Sequence, residues 1–295
     1  MNKEILCILD EHHLHPLAYT KKGKVYFVSD RKNTYVIKLK TDNYDIYQYL
    51  LARDFNHFPE NFNNVHDNYD LSLYIEDIKE DKVQKINDLI KVTAILHNKT
   101  SYQRTLDLDE VKKIYEELKQ KILDTEEYYF QLNDVIDEEL FLSPDDYLLI
   151  RHISLFYSLL SSSQEKLNKW YQDIQKEKSV RITLNHNNLS LDHLIINDTY
   201  YLINWDKASF DMPIIELEFL IRKYSNVLEI EDILKIYEKY YILSPLEKVL
   251  LFIKLSIPQI TSKTKNNFQN TKDLYHEISF LKRVSKIVLD KKLVK

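Results

Sequence analysis

Only one of the 295 residues is a glycine, Gly23. A phosphate cradle built from backbone N–H groups needs several glycines, so that the chain can approach its ligand closely. A P-loop, a dinucleotide-binding fingerprint and a kinase-type Gly-rich loop are therefore all excluded.

The remaining composition is that of a soluble globular protein, 44% hydrophobic and 29% charged. The length suits one large domain or two lobes. A net charge of -5 gives no case for nucleic acid. Lys282 to Lys295 is locally basic, and such a run reads as a solvated helix face. Cys7 is the sole cysteine, which leaves no intrachain disulfide and no thiolate metal cluster. No segment resembles a signal peptide or an 18-residue apolar span. The expectation is a cytoplasmic protein with no membrane span.

Periodicity divides the chain. His15 to Lys22, Lys24 to Ser29, Thr34 to Lys40 and Leu71 to Ile75 read as strands, and Asp45 to Phe55 as a helix. A sheet of about five strands is expected over 10–78. From Lys82 the pattern turns helical: Val83, Ile86, Ile90, Ala94 and His97, then Val111, Ile114, Leu118 and Ile122. Ser143-Pro144-Asp145-Asp146 and Ser244-Pro245-Leu246-Glu247 are helix starts. The first of these helices runs to about Ile174, or breaks near Ser161 to Ser163. Leu274, Ile278, Leu281, Val284 and Val288 give a last amphipathic helix. Arg181 to Asn204 reads as a loop and a small hairpin turning at Asn197-Asp198. The order is a β-rich lobe, 1–78, then a larger helical lobe, 79–295.

Residues 186–217 read HNNLSLDHLIINDTYYLINWDKASFDMPIIEL. This segment resembles the catalytic segment of the aminoglycoside phosphotransferase and choline kinase family, most closely that of the spore-coat kinase-like proteins of Firmicutes. The family carries H-G-D, an Asn five residues after that Asp, a hydrophobic pair, then Asp and Trp. The matching positions here hold Asn187, Asn188, His193 and Asn204. Val36-Ile37-Lys38 resembles the third-strand lysine motif and Tyr74-Ile75-Glu76 the interlobe hinge. Ala94 to Thr100 resembles the family's Leu-His helix end. Asp211 to Leu217 resembles its D-P-x-x-D-L segment, with Glu216 as the second acid. The resemblance implies an α+β, two-lobed protein-kinase-like fold with a small β-rich N-lobe and a larger helical C-lobe. It also implies Lys38 and Glu76 as nucleotide-side residues.

The substituted positions argue against the family's reaction. An amide at Asn188 is a poor base. The imidazole of His193 suits Mg²⁺ badly, and Asn204 offers one neutral oxygen where the family has its metal carboxylate. Asp206 lies two residues on, and would face the same side if the strand continued; it is the possible substitute. Asp192 reads as a surface acid, His186 as structural, and His12, His13 and His15 as solvent-exposed. No helix glutamate partner for Lys38 is evident; Asp45 and Gln48 are the nearest offers. The implied function is a pseudokinase with a binding or spore-coat assembly role, no cofactor and an unidentified protein partner, located in the cytoplasm or, as the resemblance implies, the spore coat. The alternative is an ATP- and Mg²⁺-dependent small-molecule phosphotransferase with a rearranged site using Asp206 and Lys38.

Overall fold

A computed structural model describes residues 3–39, 44–60, 62, 69–260 and 266–289. In chain order it contains α1 (Lys3–Glu11), β1 (Ala18–Lys22), β2 (Val25–Ser29), β3 (Thr34–Leu39), α2 (Tyr44–Ala52), β4 (Tyr69–Leu73) and α3 (Lys82–Thr100). There follow β5 (Tyr102–Thr105), α4 (Leu108–Asp137), α5 (Pro144–Ile174), β6 (Ser179–Asn185), β7 (Leu194–Ile196), β8 (Tyr200–Leu202) and β9 (Ser209–Asp211). Helices α6 (Pro213–Tyr224), α7 (Ile230–Glu238), α8 (Pro245–Ser256) and α9 (Asn267–Leu289) complete the chain. Two compact units emerge: Met1–Thr100 with Thr183–Phe210, and Ser101–Ile182 with Asp211–Lys295.

The first unit holds an antiparallel sheet in the order β1-β2-β3-β4. Gly23, at φ +60, turns β1 into β2, a left-handed conformation that glycine adopts without strain. Between β2 and β3, Asp30 Oδ1 accepts the N–H groups of Lys32 and Asn33, both at 2.7 Å. Those two bonds hold the exposed Asp30 carboxyl below its ordinary range. Ile5, Ile8 and Leu9 form one face of α1 and pack with Val28, Tyr35, Ile37 and Leu71.

The sequence reading placed about five strands here; four are present among the described residues. Its β4 lies two residues earlier than expected, and Lys40, the expected end of β3, lies outside the described residues. Helix α1 was missed, and α2 ends at Ala52 rather than Phe55. Both ends share a cause. His13 (φ 54) and Asp54 (φ 56) adopt the left-handed conformation usually given to glycine. In α1, Leu14 N–H bonds Leu9 O and His13 N–H bonds Asp10 O; in α2, Phe55 N–H bonds Leu50 O and Asp54 N–H bonds Leu51 O. Each pair is a Schellman cap. With no glycine at either place, the stop signal was invisible.

The second unit is largely helical. Asp107 caps α4 by accepting from Asp109 and Glu110 N–H groups. Ser143 caps α5, with Pro144 in its first turn. Helix α5 then runs unbroken for 31 residues. It ends at Ile174, the first of the two courses expected; the alternative break near Ser161 to Ser163 does not occur, and the Ser163 hydroxyl donates back to Leu159 O at 2.7 Å, which satisfies it inside the helix. Ser244 and Glu247 form a reciprocal capping box on α8. Glu247 also pairs with the Arg181 guanidinium. At the other end of α8, Arg222 donates to the carbonyls of Lys254 and Ile257, groups a helix end would otherwise leave without partners.

Two stability predictions follow from α8. Ser244→Ala should cost about 1 kcal/mol. Glu247→Ala removes the cap and strands the Arg181 guanidinium, so the loss should be larger, about 2 kcal/mol or more. Urea midpoints at unchanged m-value check both; equal losses would contradict the second role of Glu247.

Candidate functional site

Asn187, Asn188, His193 and Asn204, with Lys38, Glu76 and Asp206, lie in the first unit, while Asp211 to Leu217, with its buried Glu216, lies in the second. Strand β6 ends at Asn185 and feeds His186, which is fully buried. Its Nε2–H donates to Ile203 O at 3.0 Å, and its ring meets that of Trp205 edge-on, centroids 4.5 Å apart. The Trp205 indole N–H donates to Leu202 O at 2.9 Å. His186 is thus a structural latch, as its sequence context implied. It joins the loop after β6 to the turn after β8.

The next residues are drawn together by that latch. Asn187, at φ 56, donates its amide N–H to Lys207 O (3.2 Å) and Ser209 Oγ (2.8 Å). The Asn188 amide N–H donates to Asn204 O at 3.2 Å. His193 Nδ1–H donates to Asn188 O at 2.6 Å, and the His193 carbonyl accepts Ile203 N–H at 3.0 Å. Asn188, His193 and Asn204 therefore form one hydrogen-bonded knot, with the Asn188 side chain acting as a donor. Asp192 is exposed on the same short turn.

Asp206 reaches the sheet. Its Oδ1 lies 3.5 Å from Lys38 Nζ. The route differs from the one expected. The strand stops at Leu202; Asn204 is left-handed (φ 64, ψ 59), and Trp205 to Lys207 form a single 3₁₀ turn. The carboxylate is therefore aimed by a turn, not by strand alternation. Asp206 supplies the partner for Lys38 that the sequence reading sought on α2. Gln48 is exposed, and the Asp45 side chain lies outside the described residues. Asp70 stands opposite Lys38 in the β3–β4 register, on the same face of the sheet. Tyr47 lies close enough to feel both acids: burial first, then Asp70 and Asp206, push its hydroxyl well above the ordinary tyrosine range. It remains a protonated donor. Tyr47 and Asp70 were absent from the sequence reading, and only strand register could have suggested Asp70.

Glu76 is exposed, and its part in the geometry is a backbone one. Its carbonyl accepts Asn197 Nδ2–H at 2.8 Å. Beside it, Asp77 Oδ1 accepts Ile196 N–H at 2.9 Å, and Ile78 N–H donates to Ile196 O at 2.8 Å. Residues 76–78 are thereby pinned to the hairpin of β7 and β8.

The donor set does not suit Mg²⁺, which prefers several oxygen ligands in octahedral array. Of the two carboxylates beside Lys38, Asp206 is shared with its ammonium, and Asp70 is buried opposite it in the sheet. The His193 Nδ1–H is taken by Asn188 O, and the imidazole's other donor is a nitrogen, which suits Mg²⁺ badly. No cluster of three or more His, Cys, Asp or Glu residues able to hold a metal occurs among the described residues. Of the N-terminal histidines, His13 and His15 are exposed, while His12 is half-buried against Phe62.

Two predictions come from this geometry. The Lys38–Asp206 pair is partly open to solvent, with side-chain exposures of 23% and 45%. A Lys38→Met and Asp206→Asn double-mutant cycle should give a coupling of about 1 kcal/mol or less. His57 gives a pH dependence. Its Nδ1–H donates to Tyr200 O at 3.0 Å and its carbonyl accepts Leu202 N–H at 2.8 Å. Burial holds its imidazole below the ordinary histidine range. On acidification the unfolded chain takes up this proton first, so stability falls as pH drops below about 6.5. Above that pH the contribution is level. His57→Gln should flatten this dependence in urea melts on either side of that pH, and an unchanged slope would contradict it.

The sequence matches no family model and no curated protein sequence. The fold does have solved counterparts. An aminoglycoside phosphotransferase from Alicyclobacillus acidocaldarius aligns with a TM-score of 0.62 over 93% of each chain, at 11% identity. A spectinomycin phosphotransferase in an AMP-bound complex aligns with a TM-score of 0.53 at 13% identity, over 95% of this chain and 97% of its own. The structure of that enzyme with ADP and spectinomycin gives 0.51 at 12%, over 96% and 97%. At these identities the likeness is one of fold: this chain has the kinase-like α+β fold of such phosphotransferases.

Proposed function

We propose that this chain is a phosphotransferase-fold pseudokinase that works as a binding or assembly protein. One observation carries the reading. The Asn188 amide, at the position of the family's catalytic base, donates a hydrogen bond to Asn204 O. An acceptor hydroxyl has no proton-accepting group there, and the metal positions His193 and Asn204 bring no carboxylate. The lobes of this reading are 1–78 and 79–295, joined at Glu76, with Lys38 on the nucleotide side. Its partner is a protein. The cytoplasm or the spore coat as its location rests on the resemblance of the 186–217 segment. No described helix is long and apolar enough to cross a membrane.

A second reading is favoured by the Lys38–Asp206 contact. In an active enzyme this carboxylate, released from Lys38, would replace the missing metal ligand, and Lys38 would meet phosphate. ATP and Mg²⁺ would then be required.

Two variants separate the readings. Asn188→Ala at normal abundance should leave the cellular role intact, because no proton moves there; loss of that role would favour the enzyme. Restoring the family residues with Asn188→Asp, His193→Asn and Asn204→Asp should create Mn²⁺ binding, visible by electron paramagnetic resonance, where the parent chain has little. Equal Mn²⁺ binding by the parent, lost on Asp206→Ala, would sink the pseudokinase reading.

A further inference from the structure

Residues 122–150 hold nine of the chain's 46 carboxylates and none of its 41 lysines and arginines. The stretch carries -9, and the rest of the chain +4. It spans the second half of α4, the connection, and the start of α5. At the tip of this hairpin Leu140 is 94% exposed and Phe141 90%. Phe130, Val135 and Tyr147 are exposed on the flanking turns. Two large apolar side chains standing wholly in water inside a one-sign charge field form an unusual surface. Apolar anchors ringed by polar groups are the anatomy of a docking patch. Its charge selects a basic counterpart and repels acidic ones.

The same chain carries such a counterpart. Along α9, Lys282, Lys286 and Leu289 are exposed, Arg283 is half-buried, and no acid falls between Phe280 and Leu289. Both α4 and α9 pack on α5. The Lys166 ammonium donates to Val288 O, which sets the end of α9 about 35 Å along α5 from Ser143, at 1.5 Å per residue. Lys282, at the nearer end of the face, stands 3.3 Å from His152 Nε2, so the face runs along α5 from about 14 Å to about 35 Å beyond Ser143, away from its own chain's tip.

We propose that two copies of this chain pair about a twofold axis. The Leu140–Phe141 tip of each seats against the Lys282, Lys286 and Leu289 face of its partner's α9. Antiparallel placement of the two helical layers satisfies both contacts at once and closes the pair, so no open fibre results. The pairing does not depend on whether phosphoryl transfer has been lost.

Sedimentation velocity on the full chain tests it. A dimer should form at about 0.1 M salt and weaken towards about 1 M, where the screening length falls from about 10 Å to about 3 Å. Leu140→Ser with Phe141→Ser, and separately Lys282→Glu with Lys286→Glu, should each weaken it by about tenfold or more. All four side chains are exposed, so the melting temperature should hold. Glu138→Lys with Glu139→Lys, added to the α9 reversals, should restore the dimer. A monomer at every concentration, or a dimer indifferent to both pairs of substitutions, would overturn the proposal. So would a monomer that co-sediments with phosphatidylcholine vesicles through Leu140 and Phe141, since a lipid surface would then be the occupant.

Discussion

The contact on which the site depends is the latch between His186 and the turn after β8. His186 donates to Ile203 O while its ring lies against Trp205, and Trp205 donates to Leu202 O. Phe55 adds a further ring 6.1 Å from Trp205. Buried polar groups that find partners are worth more than their net bond energy, because the alternative is an unpaired group in an apolar place. The latch's two hydrogen bonds go to backbone carbonyls, those of Ile203 and Leu202. It ties the loop after β6 to the turn before β9 through groups other than the side chains at 188, 193 and 204.

Once the frame is fixed, the substitutions build a different internal chemistry. The Asn188 amide is bound to the Asn204 carbonyl and the His193 ring to the Asn188 carbonyl. An aspartate at 188 would accept hydrogen bonds rather than give one, and would lie close to the carbonyl of Asn204. An acid at 188 would forfeit the bond to Asn204 O, so the knot favours the amide there. Lys38 and Asp206 neutralise one another at the edge of that knot, which further lowers any local excess of charge to attract a metal or a phosphate.

Much of this was legible in the sequence, for physical reasons. Long amphipathic helices such as α4, α5 and α9 announce themselves by periodicity, and Ser143 and Ser244 mark starts by capping chemistry. The hairpin turning at Asn197 was equally plain. The α1 and α2 ends were not, because left-handed positions usually betray themselves as glycine, and here His13 and Asp54 fill them. At the site, the meeting of 188, 193 and 204 was expected from the resemblance of the 186–217 segment and its intact apolar frame. The approach of Asp206 to Lys38 depends on the left-handed Asn204, and the place of Asp70 on strand register; neither property is local in sequence.

The proposed loss of phosphoryl transfer is tested most directly by melting the purified chain with and without millimolar Mg·ATP. A nucleotide present at 100 times its dissociation constant would stabilise the fold by about 2.7 kcal/mol. The expected result is no resolvable shift, for the parent chain and for Asp206→Ala alike. A clear rise in melting temperature that requires Mg²⁺ and vanishes with Asp206→Ala would contradict the reading and restore an active, rearranged kinase site.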